Sequence, residues 1–587
     1  MWDLLIKNVE IVDGTGSPSY KGDIAIKGEK IDAVGRDFAL SIPGSVDTID
    51  AAHLTAIPGI IDPHSHADLI VGLDFETQSN LLKCKLFQGV TTIIVGNCGL
   101  GTSPATTLEA TTVLRGINSW MAPEEQLPSS ATSLYTTNDA YLNRLENSGV
   151  AINVAMLIPH GPVRISVMGL AKELPSSKQL NAMKSLVQEG FDAGAFGLST
   201  GLIYPPGSYS SPDELTELAK VVARSDRIYT SHIRGSSDTL LKAVDELITV
   251  GKKSLARVHH SHNEAVGEQH WSNIDRVLGL EEAALRSGLQ ISFDMFPYTM
   301  AATMMVAIYP PWALEGGIES LIARLQDHKE REKIRRAIEK TPSKWNSWAG
   351  KGWPHNLVRA VGWDNIYIGY VQSAEQKKFE NLSLQEFGEQ IRRSPFDAVS
   401  DLIISEKGQV SMLIHEISGE QDSKDDYDKH LLKFMCHPLS AFCSDAEDYG
   451  KGHPHPASYG AFAKIFSRYV GKLKAISFEE AVRKMTGYTA KLFGIRDRGL
   501  IRPGMYADIA LIDRTKLSDH SNIKSPRLLA TGVEHLLLNG KLTIKNGNYL
   551  GQRGKVLTNF VRNDSGRYLG KVAVFGEIWD AESATSE

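Results

Sequence analysis

The stretch IPGIIDPHSHADL, residues 57–69, sets the interpretation of the fold, because its apolar run leads into two histidines, His64 and His66, one residue apart. On an extended strand residues i and i+2 point to the same face, so both imidazoles can converge on one centre while Ser65 points away. Alone, an H-x-H pair is weak evidence for a metal site. It gains weight if further ligand residues follow other strands of the same sheet.

The chain beyond this stretch repeats one rhythm. From 58 to about 497, strand-like apolar runs alternate with helix-like stretches, for example VTTIIVGN, VAINVAMLIPHGP, SSKQLNAMKSLVQEGFDAG, AFGLSTGL and SPDELTELAKVVARS. This βα repetition predicts a parallel sheet, and its length suits a (β/α)8 TIM barrel, an α/β fold with its active site at the C-terminal ends of the strands. The segment from about 300 to 430 breaks the rhythm and predicts an inserted subdomain near the barrel mouth.

Both ends of the chain carry a different pattern. Residues 1–57 and 498–555 are short alternating runs separated by Gly and Asp turns, and Asn539-Gly540 and Asn546-Gly547 are hairpin dipeptides. We therefore expect both termini to build one small β-sandwich around a catalytic domain at 58–497, with a C-terminal tail at 556–587.

Composition narrows the class of protein. A net charge of −6 over 587 residues, spread along the chain, argues against a nucleic-acid partner. No run approaches the ~18 apolar residues of a membrane span, and the first residues alternate like a strand instead of forming a signal peptide, so the expected location is cytoplasmic and off the membrane. Four cysteines are too few and too scattered for a disulfide framework, so one that matters is expected to be a ligand or a nucleophile.

Reactive side chains recur where predicted strands end. TTIIVGNC ends at Cys98, IYTSH at His232, ARVHHSH at His262 and LSAFCSD at Asp445. Each has an ordinary explanation, as a small buried cysteine, a core histidine or a helix-capping aspartate. Together with His64 and His66 they predict a zinc site, because Zn²⁺ favours nitrogen and sulfur ligands in a compact arrangement.

With these motifs in view, the chain resembles the amidohydrolase superfamily and, within it, the N-acyl-D-amino-acid deacylase (D-aminoacylase) group. The resemblance runs over most of the chain, through IPGIIDPHSHADL, VGNCG, FGLSTGLIYPPG, YTSHIR, SHNEAVG, DMFPYT, FCSDA and MTGYTAKLFGIRDRGLIRPGMYADIALID. It implies a TIM barrel flanked by a β-sandwich from both termini, and hydrolysis of a carbon–nitrogen bond other than a peptide bond, either in an N-acylated amine or in a cyclic amide.

The resemblance also implies roles for individual residues. Cys98, His232 and His262 would hold a tightly bound zinc ion, with His64 and His66 at an adjacent site that is weaker or vacant. Asp445 would act as general base and then general acid in metal-assisted hydrolysis. Tyr204 would donate a hydrogen bond to the developing oxyanion.

Two positions depart from the pattern of the group. Members that cleave N-acyl-D-amino acids hold the substrate carboxylate with a lysine in S-H-x-K and an arginine in H-P-H-P-R, whereas this chain has Glu264 and Ala457 there. The replacements predict a small-molecule substrate without a free α-carboxylate, neutral or bearing an amine near Glu264. Tyr298 and Arg164 are further candidate substrate contacts.

Two other reactions remain open from the sequence. The chain could be a conventional N-acyl-D-amino-acid deacylase, or a metal-dependent isomerase or lyase that uses the same site for proton transfer beside a carbonyl. Monomer and homodimer are both compatible with a barrel of this kind.

Overall fold

The computed structural model describes residues 2–36, 46–118, 135–415, 425–562 and 568–569. Most of the predicted tail at 556–587 lies outside these ranges. The first strands of the chain are β1 (Leu4–Ile11), β2 (Tyr20–Lys27), β3 (Lys30–Gly35), β4 (Asp47–Asp50) and β5 (Thr55–Pro58). They belong to a sheet that the end of the chain completes.

The barrel follows directly. Its first seven strands are β6 (Ile60–Asp62), β7 (Val90–Val95), β8 (Asn153–Pro159), β9 (Gly197–Gly201), β10 (Ile228–His232), β11 (Arg257–His260) and β12 (Ile291–Met295). The helices among them are α1 (Phe75–Leu86), α2 (Leu108–Asn118), α3 (Asn138–Ser148), α4 (His160–Met168), α5 (Ser177–Asp192), α6 (Pro212–Arg224), α7 (Leu240–Ser254) and α8 (Ile274–Arg286). Strands such as β7 are buried along their whole length, as expected for a parallel sheet with covered faces.

Local sequence signals start several of these helices. Ser176 begins α5 with a capping box, in which its hydroxyl accepts from the amide of Gln179 and the Gln179 side chain accepts from the Ser176 amide. Ser211 caps α6 in the same way through the amide of Glu214, with proline at the first helical position. These caps fix where each strand-to-helix connection turns back over the barrel.

The inserted subdomain lies between the seventh and eighth barrel strands. It contains an antiparallel sheet in the order β13-β15-β14, with β13 (Met300–Met304), β14 (Ile366–Val371) and β15 (Val410–His415). Its helices are α9 (Ile318–Gln326), α10 (His328–Lys340), α11 (Leu357–Val361), α12 (Leu384–Ile391) and α13 (Pro395–Ser405). A separate core that includes Ile366, Met412 and Phe396 holds it together.

The chain then returns to the barrel through α14 (Asp425–Met435) and the eighth strand, β16 (Ser440–Phe442). The eight strands form one parallel sheet in the order β16-β12-β11-β10-β9-β8-β7-β6. α15 (Ala457–Lys464), a π-helical continuation at Ile465–Lys472, α16 (Phe478–Met485) and α17 (Gly487–Phe493) follow. The predicted TIM-like barrel with an insertion is confirmed.

Side chains and loops close the barrel where β6 meets β16. The amide of Asp445 donates to the carbonyl of His64 at 3.1 Å, and the Ser444 amide donates to Asp62 at 3.1 Å. The ammonium of Lys85, on α1, lies within 3.2 Å of Asp62, the Ser444 hydroxyl, the Ala446 carbonyl and Glu447. We call this group of residues the seam.

The last strands are β17 (Ile509–Ile512), β18 (Val533–Leu538), β19 (Lys541–Lys545) and β20 (Asn548–Tyr549), followed by the short pair β21 (Val561–Arg562) and β22 (Tyr568–Leu569). One nine-stranded sheet runs β20-β19-β18-β17-β5-β1-β2-β3, with β4 beside β1. Ile6 and Ile24 from the start of the chain pack in one core with Ile509 and Leu537 from its end. Both termini therefore form a single β unit, which we call the terminal sheet.

No helix within the described ranges is long and apolar enough to cross a lipid bilayer.

Candidate metal centre

Six predicted site residues meet at the C-terminal ends of the barrel strands. Their ligand atoms form three overlapping groups, each within 4.8 Å: His64, His66 and Cys98; Cys98, His232 and His262; His64, His262 and Asp445. The strand register explains the convergence, because parallel strands bring their C-terminal ends to one rim of the barrel. The sequence-based site residues that follow different strands are thus neighbours in space.

The distances around Cys98 match those of a metal site. Its Sγ is 3.6 Å from His232 Nδ1 and 3.5 Å from His262 Nε2. A tetrahedral zinc ion with Zn–S ≈ 2.3 Å and Zn–N ≈ 2.1 Å sets its sulfur and nitrogen ligands about 3.6 Å apart. Cys98, His232 and His262 therefore fit one zinc ion.

His64 and His66 face the other side of the cluster. Asp445 Oδ1 lies 3.3 Å from Nε2 of both histidines, and His64 Nε2 is also 3.2 Å from Cys98 Sγ. His64 is fully buried, whereas the side chains of His66 and Asp445 are partly exposed. His64 and His66 form with Cys98 a second group whose ligand atoms lie within 4.8 Å of one another, and the carboxylate of Asp445 beside it is partly exposed.

The backbone at the cluster is unusual at three of these positions. Cys98, His262 and Asp445 have φ of 52°, 36° and 45°, in the left-handed region that residues with a Cβ seldom adopt. Close packing holds the Cys98 turn, since a Cβ on Gly201 would lie 1.9 Å from the Cys98 carbonyl oxygen. Backbone strain of this kind concentrates at functional sites.

The environment of Cys98 favours its thiolate. Burial opposes ionisation, but the charge of His64 and hydrogen bonds from His232, His262 and His64 bring the pKa of Cys98 well below its usual value. A thiolate is the form that binds metal. For Tyr204 the net outcome is the opposite: burial, and then the charge of Cys98, raise its pKa, so its phenol keeps its proton.

Asp294 supports the cluster from below and was not identified from the sequence. This fully buried carboxylate lies 3.4 Å from His64 Nδ1 and 2.8 Å from His259 Nε2, and it accepts from the His262 amide at 2.5 Å. Asp294 is near the end of β12, so the rule that selected the other strand-end residues could have found it. Its partner His259 lies on β11, two residues before Ser261.

A cleft with about 670 Å³ of empty space lies over the cluster. The ring of Tyr204 lies 5.3 Å from that of His232, and its hydroxyl bonds to Thr303 at 2.8 Å. The inserted subdomain supplies much of the opposite wall, namely Ala301, Ala302, Thr303, His355, Leu357 and Ile414. Among the described residues that line this cleft there is no lysine or arginine.

His355 is a polar group of this wall that the sequence did not reveal. Its Nδ1 is 2.8 Å from the Ser237 hydroxyl. Burial, followed by the charges of His232, His270 and His262, lowers the pKa of His355 to about 3, so it faces the cleft as a neutral imidazole.

The three predicted substrate contacts occupy different places. Glu264 lines the cleft, and its Oε1 is 3.6 Å from His262 Nδ1. Tyr298 lines a second, adjacent cavity that also includes Glu264. Arg164 is fully buried, its three nitrogens donate to Glu214 and to the carbonyls of Ala171 and Glu173, and it is not among the described residues that line the cleft.

Comparisons with known proteins agree with this geometry. A family model described as "Amidohydrolase family" matches residues 47–350 and 437–544. An N-acyl-D-glutamate deacylase of Alcaligenes xylosoxydans xylosoxydans is 27% identical over 539 residues, 92% of this chain and 93% of the relative. A D-aminoacylase of the same organism is 24% identical over 560 residues, 95% of this chain and 97% of the relative.

Solved structures give the same relationship. The crystal structure of N-acyl-D-glutamate deacylase from Bordetella bronchiseptica, complexed with zinc and a phosphonate inhibitor, matches with a TM-score of 0.76 at 25% identity. The match covers 95% of this chain and 99% of that one. A D-aminoacylase structure has the same fold, with a TM-score of 0.75 at 23% identity.

Proposed function

Because this chain belongs to the amidohydrolase family, we propose that it hydrolyses the amide bond of a small N-acylated amine that has no free carboxylate beside that bond. The chain is a metal-dependent hydrolase of carbon–nitrogen bonds other than peptide bonds, acting on a small molecule. The identity of the metal, the role of each site residue and the substrate class form the proposal.

We assign one tightly bound zinc ion to Cys98, His232 and His262, and a weaker second metal site to His64 and His66, beside Cys98. The sulfur–nitrogen separations of 3.5 and 3.6 Å support the first assignment. When bound, the metal polarises the amide carbonyl and acidifies water. The protein contributes a buried set of donors whose geometry is fixed by the strand ends.

Asp445 is proposed as the single acid–base group. Its carboxylate is partly exposed to the cleft, at 3.3 Å from two histidines, so it can take a proton from the attacking water and pass it to the leaving nitrogen. Tyr204 is proposed to donate to the developing oxyanion, exchanging its present partner Thr303 for the substrate oxygen. Its raised pKa keeps that donor protonated.

The proposed substrate class rests on the charges of the residues that line the cleft. Among the described lining residues there is no lysine or arginine, and Glu264 places a carboxylate where a substrate carboxylate would need a cation. Each charge-assisted hydrogen bond to a carboxylate is worth about 1.5–3 kcal/mol. Two absent cations therefore disfavour a free acid by several kcal/mol, before repulsion by Glu264 is added.

The zinc assignment predicts a metal-content difference between two cysteine variants. Cys98→Ser should lose most of its zinc after dialysis, because a hydroxyl does not replace a thiolate ligand. Cys436→Ser, which alters an exposed cysteine, should retain it. Elemental analysis of both proteins measures this, and equal zinc contents would remove Cys98 from the site.

The reaction is tested with N-acetyl-D-amino acids compared with their amides, esters and decarboxylated amines. Zinc-loaded protein should prefer the compounds without a carboxylate, and Asp445→Asn should lower kcat by at least about 100-fold while zinc stays bound. A clear preference for the free acids would favour a conventional N-acyl-D-amino-acid deacylase. Products of unchanged mass would instead indicate an isomerase.

A further inference from the structure

We propose that Glu264 and the aromatic cavity behind it form a subsite for an alkylammonium group, so that the substrate carries a second, protonated amine a short spacer from its amide. This inference rests on the proposed function and names the substrate class of that site. Three observations support this inference. One oxygen of Glu264 has no partner among the described residues, the residues around that oxygen suit a cation, and the distance from Glu264 to the cluster fits a short spacer.

The two carboxylate oxygens of Glu264 have different surroundings. Oε1 lies 3.6 Å from His262 Nδ1, but Oε2 is buried and has no hydrogen-bond partner among the described residues. A buried carboxylate oxygen without a partner is costly. A bound cationic N–H donor would remove that cost, whereas a neutral apolar group would not.

The surroundings of this oxygen suit a cation. Behind Glu264 lies a small cavity, which four aromatic side chains, Trp271, Phe296, Tyr298 and Phe434, line together with His430. Aromatic faces attract ammonium groups through their quadrupole. Neither this cavity nor the cleft has a lysine or arginine among its described lining residues, so no such side chain occupies the position of the proposed ligand.

One cation lies near the far side of the cavity wall. Lys464 Nζ is 3.9 Å from the centre of the Tyr298 ring. The hydroxyl of Tyr298 donates to Asp519 at 3.2 Å, so a carboxylate accompanies that lysine. Asp519 therefore accompanies Lys464, whereas Glu264 lines both the cavity and the cleft.

The position of Glu264 limits the length of the ligand. His262 directs Nε2 towards Cys98 at 3.5 Å and Nδ1 towards Glu264 at 3.6 Å, so one imidazole ring separates the cluster from the carboxylate. An amide held at the cluster and an ammonium held at Glu264 must then be joined by a spacer of a few methylene groups. Monoacylated diamines have this arrangement.

The test compares three N-acetylated amines of equal length on the zinc-loaded protein: N-acetylcadaverine, its hydroxyl-terminated isostere and its carboxylate-terminated isostere. We expect kcat/KM to be about 10- to 100-fold higher for the ammonium than for the hydroxyl compound, from the strength of a charge-assisted hydrogen bond. Glu264→Gln should reduce this ratio to near unity. Glu268→Gln, which alters an exposed carboxylate four residues later, should leave the ratio unchanged.

A binding measurement separates this subsite from the proposed function. Calorimetric titration of the zinc-loaded protein with pentylammonium should show binding that pentanol does not reproduce and that Glu264→Gln abolishes. Equal turnover of the three substrates, with no binding of pentylammonium, overturns the subsite and leaves amide hydrolysis intact. Binding of pentylammonium without turnover of any substrate supports the subsite and contradicts the proposed reaction.

Glu264 also lies beside His262, so a change in Glu264→Gln can result from loss of metal. A second variant controls for this effect. Trp271→Leu removes an aromatic face of the cavity and should lower the ammonium-to-hydroxyl ratio two- to fivefold, as the loss of one cation–π contact predicts. Zinc content is measured in both variants. If Glu264→Gln loses zinc, an unchanged ratio in Trp271→Leu overturns the subsite.

Discussion

Asp294 contacts two histidines of the cluster, although it is not a predicted ligand. One oxygen contacts His64 and His259, and the other accepts from the backbone amide of His262, whose φ is left-handed. Partners of metal-bound histidines set the orientation and basicity of the ring. Asp294 therefore holds two of the proposed ligands, His64 after the first and His262 after the sixth strand of the barrel.

Replacing Asp294 by Asn should weaken zinc binding at the proposed second site by about 10- to 100-fold, the usual effect of losing the carboxylate partner of a ligand histidine, here His64. The variant presents an amide N–H where a histidine nitrogen expects an acceptor. Competition with a chelator measures the zinc affinity, and the absorption spectrum of the cobalt-substituted protein should also change. Asp275→Asn, at an exposed carboxylate paired with Lys433, is the matched control, and equal affinities in the two variants would contradict the role of Asp294.

Among individual residues, the sequence identified those that directly follow a strand. It was less informative about the residues that contact them. Cys98, His232, His262 and Asp445 could be selected because each stands at the end of an apolar run. His355 could not, because it reaches the cleft from the inserted subdomain, which has no such regularity. Arg164 was selected for its charge alone, and its burial against Glu214 has no local sequence signal.

Among the elements, the seam between β6 and β16 combines fold closure with the placement of Asp445. Lys85 donates to Ser444 and to the carbonyl of Ala446, the two neighbours of Asp445, while it also pairs with Asp62 and Glu447. All these groups are buried. The left-handed backbone at Asp445 is thus held from both sides by one side chain of α1.

Lys85→Met should lower the free energy of unfolding by about 3–5 kcal/mol, because it leaves two buried carboxylates without their cation. Urea denaturation followed by circular dichroism measures the change. Lys83→Met, two residues earlier on the same helix and partly exposed, should shift stability by no more than about 0.5 kcal/mol. Similar effects of the two substitutions would mean that the seam contributes little.

Helices and strands with a clear period of apolar residues could be predicted from the sequence. The pairing of strands that lie far apart in the chain could not. The barrel strands are apolar runs between amphipathic helices, and the terminal strands alternate. The charged stretch ARLQDHKEREKIRRAIEK has the composition of a single helix, but Asp327 ends α9 and caps α10 through the amides of Lys329 and Glu330. The order β13-β15-β14 depends on pairing between strands that lie far apart in the chain, for which short-range periodicity gives no information.

In the whole molecule, Asp508 joins the terminal sheet to the barrel. Its carboxylate accepts from the side chain of Asn153, at the start of β8, at 3.0 Å and from the amide of Asn539, next to β18, at 2.6 Å. Arg498 pairs with the same carboxylate in a buried contact. The two ends of the chain are thus fixed to the face of the barrel opposite the cluster.

Asp508→Ala should destabilise the protein by about 3–5 kcal/mol, because Arg498 and two donors lose their buried acceptor. Thermal unfolding should show a lower Tm, while kcat/KM of the folded protein stays close to that of the wild type. Lys516→Ala, which removes an exposed ammonium group that pairs with Glu534 of β18, should leave the Tm close to that of the wild type. A wild-type Tm for Asp508→Ala would show that the terminal sheet is held by apolar packing alone.

The left-handed backbone at positions 98, 262 and 445 also restricts which residues can replace the ones found there. Valine, isoleucine and threonine are the poorest choices at such a φ, whereas asparagine, aspartate, histidine and glycine tolerate it best. A saturation library at these three codons should therefore enrich the second group among folded variants, whatever their activity. For an engineer who wishes to change the metal preference, Cys98→Asp or Cys98→His is a better starting point than any β-branched substitution.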